Sequence, residues 1–174
     1  NPLIKKLLLN YQVIGLDLRK QTIESSKYIH LRKKIKKVSD FLMIFRTYKV
    51  SRLVHAGGVS GPMLHNDEPH KIIENNVFLT MYLIEAVRQY KKINRLIYCS
   101  SISAYGDINA SNTNESLKFS PTNVYGSTKA SCDLMLETYH KNYDLDIISL
   151  RFSTIYGYAR TTSCFINDII KSCS

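Results

Sequence analysis

Four short apolar segments that resemble buried strands alternate with segments of helical periodicity, and this order constrains the fold of the chain more than any other feature. The strand-like segments are residues 12–17, 52–58, 95–101 and 146–151. Apolar residues at helical spacing predict helices over residues 2–10, 72–92, 124–143 and 165–171. Strands that alternate with helices in this way are typical of an α/β fold with a parallel sheet covered on both faces. The polar, basic residues 22–37 receive no assignment.

The composition is that of one globular domain. The chain has 174 residues, of which 44% are hydrophobic, and it contains no low-complexity tract. No apolar run is long enough to cross a bilayer, and residues 1–10 are too short and too irregular for a secretory signal. The four cysteines have no C-x-x-C spacing and do not cluster with histidines, which predicts free thiols and no metal site. These features predict a cytoplasmic protein with no membrane partner.

The net charge of +10 raises the question of a nucleic-acid partner. Its densest source is the run 32–37, with the sequence Arg-Lys-Lys-Ile-Lys-Lys. No aromatic residue interleaves this run, and no zinc-finger, helix-turn-helix or RNA-binding signature accompanies it. We therefore predict a solvated basic surface and no nucleic-acid partner, although such a surface also attracts the phosphates of nucleotides.

Polar and small residues follow the predicted strands at the ends where a parallel sheet binds ligands. Asp17 ends the first strand, Gly57 and Gly58 follow the second, and Ser101 ends the third. In open parallel sheets, ligands bind at the carboxyl ends of the strands. The order of the segments therefore predicts a binding site that includes these residues.

Tyr125 and Lys129 lie four residues apart in a predicted helix and therefore share one of its faces. A tyrosine titrates near pH ~10 and is a poor base at neutral pH, but a neighbouring ammonium lowers its pKa. A serine hydroxyl at a strand end, such as that of Ser101, can then hold a substrate oxygen. The spacing alone is common by chance in a chain with 12 Tyr and 24 Lys and Arg, so the surrounding sequence must decide.

In this order the segments resemble the extended short-chain dehydrogenase/reductase family, and specifically its NAD-dependent sugar-nucleotide epimerases and dehydratases. The resemblance extends from Leu3 to about Ile170. Its matching segments are residues 13–17, 55–58, 74–77, 100–106, 121–130 and 150–157. Each segment is weak by itself, and their common order carries the resemblance. It implies a Rossmann-like, doubly wound parallel sheet flanked by helices.

The resemblance implies a cofactor site for NAD. Asp17 resembles the acid that binds the ribose hydroxyls of adenosine, and a carboxylate there repels the 2′-phosphate of NADP. Val38 resembles the residue whose backbone faces the adenine, although Lys37 stands where the family usually has an aspartate. The remaining residues that the resemblance places at the dinucleotide are Ala56, Gly57, Gly58, Asn76, Tyr125, Lys129 and Ser153. His55 precedes this loop, and we expect it to be a packed core histidine.

Ser101, Tyr125 and Lys129 resemble the catalytic set of the family. By this resemblance, Tyr125 as a phenolate takes the proton from a sugar hydroxyl while the ring carbon passes hydride to NAD. Lys129 holds the nicotinamide ribose and lowers the pKa of Tyr125, and Ser101 hydrogen-bonds the reacting oxygen. In a 4-epimerase the 4-keto sugar turns over and takes the hydride back on its other face.

Two positions discriminate among members of the family. The 4,6-dehydratases carry an Asp-Glu pair where this chain has Ile102 and Ser103, and an isoleucine cannot transfer a proton, which disfavours dehydration. Thr154 stands where many members carry a substrate-binding Asn, and with Arg160 it resembles the subgroup that includes UDP-uronate 4-epimerases. The resemblance therefore implies a UDP-sugar substrate bound by Ser101, Thr154 and Arg160, with UDP-glucose or a UDP-uronate as the favoured sugar nucleotide.

Two family elements are not found in the sequence. No G-x-x-G-x-x-G motif precedes the first predicted helix, and the first strand of the family's sheet is also missing. Little of the family's sugar-nucleotide lobe follows residue 170. We therefore expect residues 1–174 to form a partial NAD-binding domain that binds NAD weakly or not at all. Two alternatives to an epimerase stay open, a dehydratase or reductase of the same family and a non-catalytic remnant. The family often dimerises through helices at 72–92 and 124–143, which implies a homodimer.

Overall fold

The computed structural model describes residues 2–20, 23–61, 65, 67–108, 114–157 and 165–172. Its strands are β1 (Val13–Leu16), β2 (Tyr28–Leu31), β3 (Arg52–His55), β4 (Arg95–Ser101) and β5 (Ile147–Phe152). Its α-helices are α1 (Pro2–Leu7), α2 (Val38–Tyr48), α3 (Pro69–Ile73), α4 (Leu79–Tyr90), α5 (Val124–Tyr143) and α6 (Phe165–Ser172). A π-helical turn, Glu74–Phe78, joins α3 to α4, and a 3₁₀ turn, Ile102–Ala104, follows β4.

Every strand pair in the described residues is parallel, which confirms the α/β prediction. β1 pairs with β2 in one sheet, and β3, β4 and β5 pair in that order in a second, larger sheet. Within the described residues no ladder joins β1 to β3. Side chains link the starting ends of these two strands instead, since Arg52 donates to the Tyr11 hydroxyl at 2.9 Å and lies over its ring. Because β3 and β4 are parallel neighbours, their carboxyl ends meet at one edge of the larger sheet.

The core lies between the larger sheet and three helices, α2, α4 and α5. These helices follow β2, β3 and β4 in the chain, and buried residues of all three belong to one cluster with Leu96 and Tyr98 of β4. The most buried side chains of this layer are Phe45, Ile84, Val87, Leu96, Tyr98, Cys132 and Leu136. Burying each large apolar side chain contributes about 1.5–3 kcal/mol, so this layer supplies much of the stability of the chain.

The opposite face of the larger sheet is only partly covered by the described residues. Val54, Ile148, Leu150 and Phe152 alternate with more buried neighbours along β3 and β5, and each is 37–41% exposed. Helical cover in the described residues therefore lies mainly on the core face. None of the helices described here has both the length and the apolar character needed to span a membrane.

β2 and α2 are not predicted by the sequence patterns. β2 lies in the polar stretch 22–37, where its four residues pair with β1 but none is fully buried. α2 begins at Val38, and the carboxylate of Asp40 caps this end by accepting hydrogen bonds from the backbone amides of Lys36 and Lys37. An acid at the third helical position is the sequence signal that marks this start.

A buried carboxylate joins α5 to the larger sheet. The side chain of Asp133 is 1% exposed. It accepts hydrogen bonds from Ser100 on β4 at 3.0 Å and from Ser149 on β5. The guanidinium of Arg151 donates to the same carboxylate at 2.8 Å. Removing one partner of such a buried pair leaves the other charge without compensation, so Asp133 has a large influence on how α5 lies against the strands.

We predict that Asp133→Asn lowers the free energy of unfolding by about 3 kcal/mol, because it leaves the partly buried Arg151 without its counter-charge. The matched control is Asp146→Asn, which breaks the exposed pair of Asp146 with Arg95 and is expected to cost no more than about 1 kcal/mol. Urea unfolding of both variants measures the difference. Equal losses in the two variants would contradict the role given to Asp133.

Candidate active site

The site begins where β4 ends and α5 begins. Ser101 is the last residue of β4, and the 3₁₀ turn follows it directly. Asn123 caps α5 by accepting a hydrogen bond from the Gly126 amide at 2.8 Å. A Cβ atom at Gly126 would clash with the backbone oxygen of Ser103, so glycine allows the first turn of α5 to approach the 3₁₀ turn closely. This approach places Tyr125, in the first turn of α5, close to Ser101 at the end of β4.

Tyr125 is 8% exposed, and its phenol lies in a desolvated position. Burial raises the pKa of Tyr125, and a side-chain hydrogen bond with Ser101 acts in the opposite direction. The Ser101 hydroxyl in turn donates to the Ser103 hydroxyl at 3.2 Å and accepts from the Ser103 amide. Tyr125 is therefore a neutral phenol at pH 7 in this structure, with a serine hydroxyl beside it.

Lys129 lies one helical turn further along the same face of α5 and is 6% exposed. Its ammonium donates to the backbone oxygen of Cys99 at 2.8 Å. The same nitrogen lies 4.8 Å from the centre of the Tyr98 ring and 5.8 Å from that of Tyr125. Burial lowers the pKa of Lys129. Salt bridges among the described residues do not include Lys129, which leaves ammonium hydrogens for a ligand hydroxyl.

The sequence predicts that Lys129 lowers the pKa of Tyr125. In the structure, the pKa of Tyr125 is raised instead. Desolvation of the phenol dominates and raises the pKa of Tyr125. The ammonium lies near the ring, and burial also lowers the pKa of Lys129, so burial works against both charged forms. A phenolate at this position therefore needs further polar groups, such as the hydroxyls of a ligand, to stabilise it.

Asn76 joins the loop after β3 to α5. It lies in the π-helical turn that interrupts the helix predicted over 72–92, and it is 2% exposed. Its side-chain oxygen accepts from the Val59 amide at 2.8 Å, and its side-chain nitrogen donates to the Thr128 hydroxyl at 3.0 Å. π-helical turns are frequent at functional sites. The side-chain amide of Asn76 is thus bonded to protein groups on two separate elements.

The loop after β3 contacts Asn76 through a position that requires glycine. Gly58 has a φ angle of +117°, which other residues rarely adopt. A Cβ atom there would also clash with the side-chain oxygen of Asn76. Gly57 differs, because a Cβ atom there would meet its nearest neighbours, on His55 and Leu79, at an ordinary 3.6 Å. Gly57 is exposed, and the space there accommodates a Cβ atom without a clash.

His55 is a core histidine, which confirms the expectation from the sequence. Its Nε2 lies 2.9 Å from the Thr80 hydroxyl, which itself donates to the backbone oxygen of Asn76 at 2.6 Å. Because Thr80 is already a donor, Nε2 of His55 carries the proton in this bond. The ring packs against that of Tyr98 with centroids 5.5 Å apart. Burial lowers the pKa of His55 to about 4, and the Lys129 ammonium adds to the lowering, so His55 is neutral at pH 7.

The other residues predicted for the site are more widely placed. Asp17 follows β1 in the smaller sheet, where its carboxylate accepts a hydrogen bond from the Arg19 amide at 2.8 Å. Val38 is the first residue of α2 and packs against the core. Three more are exposed in the loops after β3 and β5, namely Ala56, Ser153 and Thr154. Arg160 lies outside the described residues. The predicted catalytic residues thus share one sheet edge, whereas Asp17 belongs to the other sheet.

This edge fits part of a dinucleotide. Gly57 is exposed in the loop after β3, and the Lys129 ammonium has hydrogens that no carboxylate of the described residues takes up in a salt bridge. A ribose offers hydroxyl oxygens that accept such hydrogen bonds. Among the same residues, no three His, Cys, Asp or Glu side chains are grouped so as to hold a metal ion.

Sequence analysis missed three residues that shape the site, because no motif marks them. Thr80, Thr128 and Asp133 are buried polar side chains whose partners lie far away in the chain. The sequence signal for Asp133 is its place four residues after Lys129, in the same inward-facing row as Tyr125. A polar residue in such a row indicates either a site or a buried hydrogen bond.

The family model for the NAD-dependent epimerase/dehydratase family matches residues 2–174. The chain belongs to this family. The resemblance drawn from the sequence is therefore confirmed. Relatives include the UDP-glucuronate 4-epimerase of Thermodesulfobacterium geofontis, which is 30% identical over 129 residues, covering 74% of this chain and 39% of that protein.

Solved structures confirm the Rossmann-like fold. A UDP-N-acetylglucosamine 4-epimerase from Methanobrevibacter ruminantium superposes with a TM-score of 0.82 at 21% identity, over 97% of this chain and 58% of that one. A UDP-glucuronic acid 4-epimerase from Bacillus cereus, solved with UDP-glucuronic acid and NAD, gives a TM-score of 0.78 at 25% identity, over 90% and 53% of the two chains. The chain thus spans little more than half the length of these structures, and 39% of the T. geofontis relative.

We predict that Gly58→Ala destabilises the chain by at least about 1 kcal/mol more than Gly61→Ala. Both glycines have a positive φ angle, +117° and +121°, so both substitutions introduce backbone strain. A Cβ atom at Gly58 also clashes with Asn76, whereas one at Gly61 has nothing within 4 Å among the described residues. Urea unfolding of the two variants isolates this contact. Equal destabilisation would show that Asn76 does not hold the loop.

We predict a loss of stability at low pH that depends on His55. The pKa of His55 is about 4 in the folded chain and 6.5 as the ordinary value, so the unfolded chain binds more protons between these limits. Stability therefore falls as pH falls from 7 to 4, by about 3 kcal/mol from this group. His55→Gln keeps a donor for Thr80 but does not titrate, so it should lose less stability over this range. Urea unfolding at several pH values tests this, and parallel pH curves for the two proteins would contradict it.

Proposed function

We propose that this chain supplies the catalytic side chains of an NAD-dependent sugar-nucleotide 4-epimerase whose substrate is a UDP-sugar. The observation that carries the proposal is the buried pair of Tyr125 and Lys129 beside Ser101, at the carboxyl edge of the larger sheet. Membership of the NAD-dependent epimerase/dehydratase family supports NAD as the cofactor. The relative named as a UDP-glucuronate 4-epimerase supports a UDP-sugar.

Tyr125 is the group that exchanges a proton with the sugar. As a phenolate it takes the proton of the C4 hydroxyl, and as a phenol it returns a proton when the C4 carbonyl becomes a hydroxyl again. The Ser101 hydroxyl, which donates to Ser103 in this structure, turns to donate to the same sugar oxygen and orients it. Bound NAD supplies the acceptor and the donor of the hydride at C4.

Lys129 holds the ribose of the cofactor and stabilises the phenolate. One of its hydrogens is donated to the Cys99 oxygen, and the others are directed to ribose hydroxyls. A ligand that excludes water lowers the local dielectric constant, which strengthens the attraction between the ammonium and a phenolate. The remaining cofactor contacts are assigned to Asp17, Val38, Ala56, Gly57, Gly58, Asn76 and Ser153.

Ile102 favours epimerisation over dehydration. It follows Ser101 directly and is 41% exposed in the 3₁₀ turn. Removal of water across C5 and C6 of a sugar needs an acid and a base at those atoms, and an isoleucine supplies neither. The sugar contacts beyond Ser101 are assigned to Thr154 and Arg160, with UDP-glucose or a UDP-uronate as the substrate.

A non-catalytic role is the second candidate, and one observation favours it. Burial raises the pKa of Tyr125 and lowers that of Lys129, so the described residues do not stabilise the charged forms that proton transfer uses. A chain with this site could bind NAD without turning a sugar over. Measured turnover separates the two candidates.

The test is turnover of UDP-glucose and UDP-glucuronate by the purified chain with NAD, with the C4 epimers resolved by chromatography. We expect Tyr125→Phe to lower kcat by about 10²–10⁴-fold, because proton transfer is lost while packing is kept. Calorimetry should show NAD affinity little changed in this variant and weakened in Lys129→Ala. Tyr143→Phe, at an exposed position of the same helix, is the matched control and should behave as the wild type.

Each other outcome has a defined meaning. Wild-type turnover in Tyr125→Phe would remove Tyr125 from the mechanism. A 4-keto-6-deoxy product would make the chain a dehydratase. NAD binding without turnover of either sugar nucleotide would favour the non-catalytic role, and absence of both would overturn the proposed function.

A further inference from the structure

Three successive hydrogen bonds connect the loop after β3 to the turn of α5 that carries Tyr125. The Val59 amide donates to the Asn76 side-chain oxygen at 2.8 Å, and the Asn76 side-chain nitrogen donates to the Thr128 hydroxyl at 3.0 Å. The Thr128 hydroxyl donates onward to the backbone oxygen of Tyr125 at 2.7 Å. Asn76 and Thr128 are 2% and 3% exposed, so the two bonds of Thr128 are shielded from solvent, whereas the bond from Val59 is partly buried.

The Thr128 hydroxyl uses both of its hydrogen-bonding capacities. It accepts from Asn76 and donates to Tyr125, which a serine hydroxyl can repeat and a valine methyl group cannot. The other threonine of α5, Thr138, is exposed and donates only within its helix, to Leu134 at 2.9 Å. Thr128 is instead tied to a residue 52 positions away in the chain. Its hydroxyl therefore links α5 to the π-helical turn, in addition to its bond within α5.

The π-helical turn fixes Asn76 at the centre of this link. The backbone oxygen of Asn76 accepts from the Thr80 hydroxyl at 2.6 Å and from the Cys132 thiol at 3.5 Å. Thr80 belongs to α4 and is bonded to His55 at the end of β3, whereas Cys132 belongs to α5. Displacing Asn76 therefore disturbs contacts with β3, α4 and α5 together.

We propose that Thr128 is a positioning residue that, with Asn76, couples the conformation of the loop 57–59 to the placement of Tyr125. The proposal rests on the proposed function, in which the loop contacts the dinucleotide and Tyr125 contacts the sugar. A nucleotide that orders the loop then also orders the proton-transfer group, through three successive hydrogen bonds. Thr128 itself touches neither ligand.

Amide hydrogen exchange at Val59 tests this coupling without any ligand. We expect Thr128→Val to raise the exchange rate of the Val59 amide by about tenfold, because Asn76 loses a partner and holds the loop less tightly. Thr128→Ser keeps the hydroxyl and should exchange as the wild type does. Thr138→Val is the matched control for loss of a threonine hydroxyl on α5. The amide of Leu83, in the core of α4, reports global stability.

We expect faster exchange of the Val59 amide in Thr128→Val and not in Thr128→Ser or Thr138→Val. The exchange rate of the Leu83 amide should be unchanged in all three variants. Unchanged exchange at Val59 would overturn the proposal. Equal acceleration at Val59 and Leu83 would also overturn it, because that pattern marks general destabilisation. If Thr128→Val does not fold, Thr128→Ala gives the same readout at the Val59 amide.

Calorimetry with NAD tests the functional half of the coupling. We expect Thr128→Val to weaken NAD binding about tenfold, or about 1.4 kcal/mol, with Thr128→Ser and Thr138→Val close to the wild type. Equal NAD affinity in Thr128→Val and the wild type would overturn the link between the loop and the cofactor. A wild-type chain that binds no NAD would overturn the proposed function instead, and the exchange rate of Val59 would still decide whether Thr128 positions the loop.

Discussion

The candidate site depends on how α5 is registered against β4. Tyr125, Lys129 and Asp133 are spaced four residues apart and form one row along the buried face of this helix. Lys129 donates to the backbone oxygen of Cys99, and Asp133 accepts from the hydroxyl of the next residue, Ser100. Two polar contacts at neighbouring positions on one strand fix both the height and the rotation of the helix. The placement of Tyr125 beside the end of β4 is a consequence of that register.

The charges of Lys129 and Asp133, the two charged residues of this row, are neutralised by their hydrogen-bond partners to different degrees. The carboxylate of Asp133 receives the guanidinium of Arg151 and two hydroxyls, whereas the ammonium of Lys129 has one backbone oxygen and the faces of aromatic rings. Burial without a full set of partners disfavours the charged lysine, and its pKa is lowered for that reason. A ligand that brings hydroxyl oxygens to Lys129 supplies what the folded chain lacks there. The same polar groups oppose the desolvation that raises the pKa of Tyr125, so one ligand acts on both residues.

Local patterns predict the parts of the structure that depend on one segment. β4 and α5 follow from an apolar run and a helical period, and the shared face of Tyr125 and Lys129 follows from their spacing. β2 does not follow, because it is half-exposed and is ordered by pairing with β1. Thr128 bonds Asn76, 52 residues away, and Asp133 bonds residues 16 to 33 positions away, and no local pattern encodes contacts at such separations. The pKa of Tyr125 is missed for a related reason, since burial is a property of the whole fold.

Convergence of strand ends is a property of neighbours in one sheet. β3 and β4 are hydrogen-bonded neighbours, so the loop with Gly58 and the end of β4 at Ser101 share an edge that strand order predicts. Asp17 directly follows β1 of the smaller sheet, and the connection of this sheet to the larger one includes the contact of Tyr11 with Arg52 and the packing of Leu16 on the core. Register is defined by a hydrogen-bonded ladder, and none joins β1 to β3 in the described residues. The candidate catalytic residues are therefore arranged by ladders and helix register, whereas the distance from Asp17 to Tyr125 is set by side-chain packing between the two sheets.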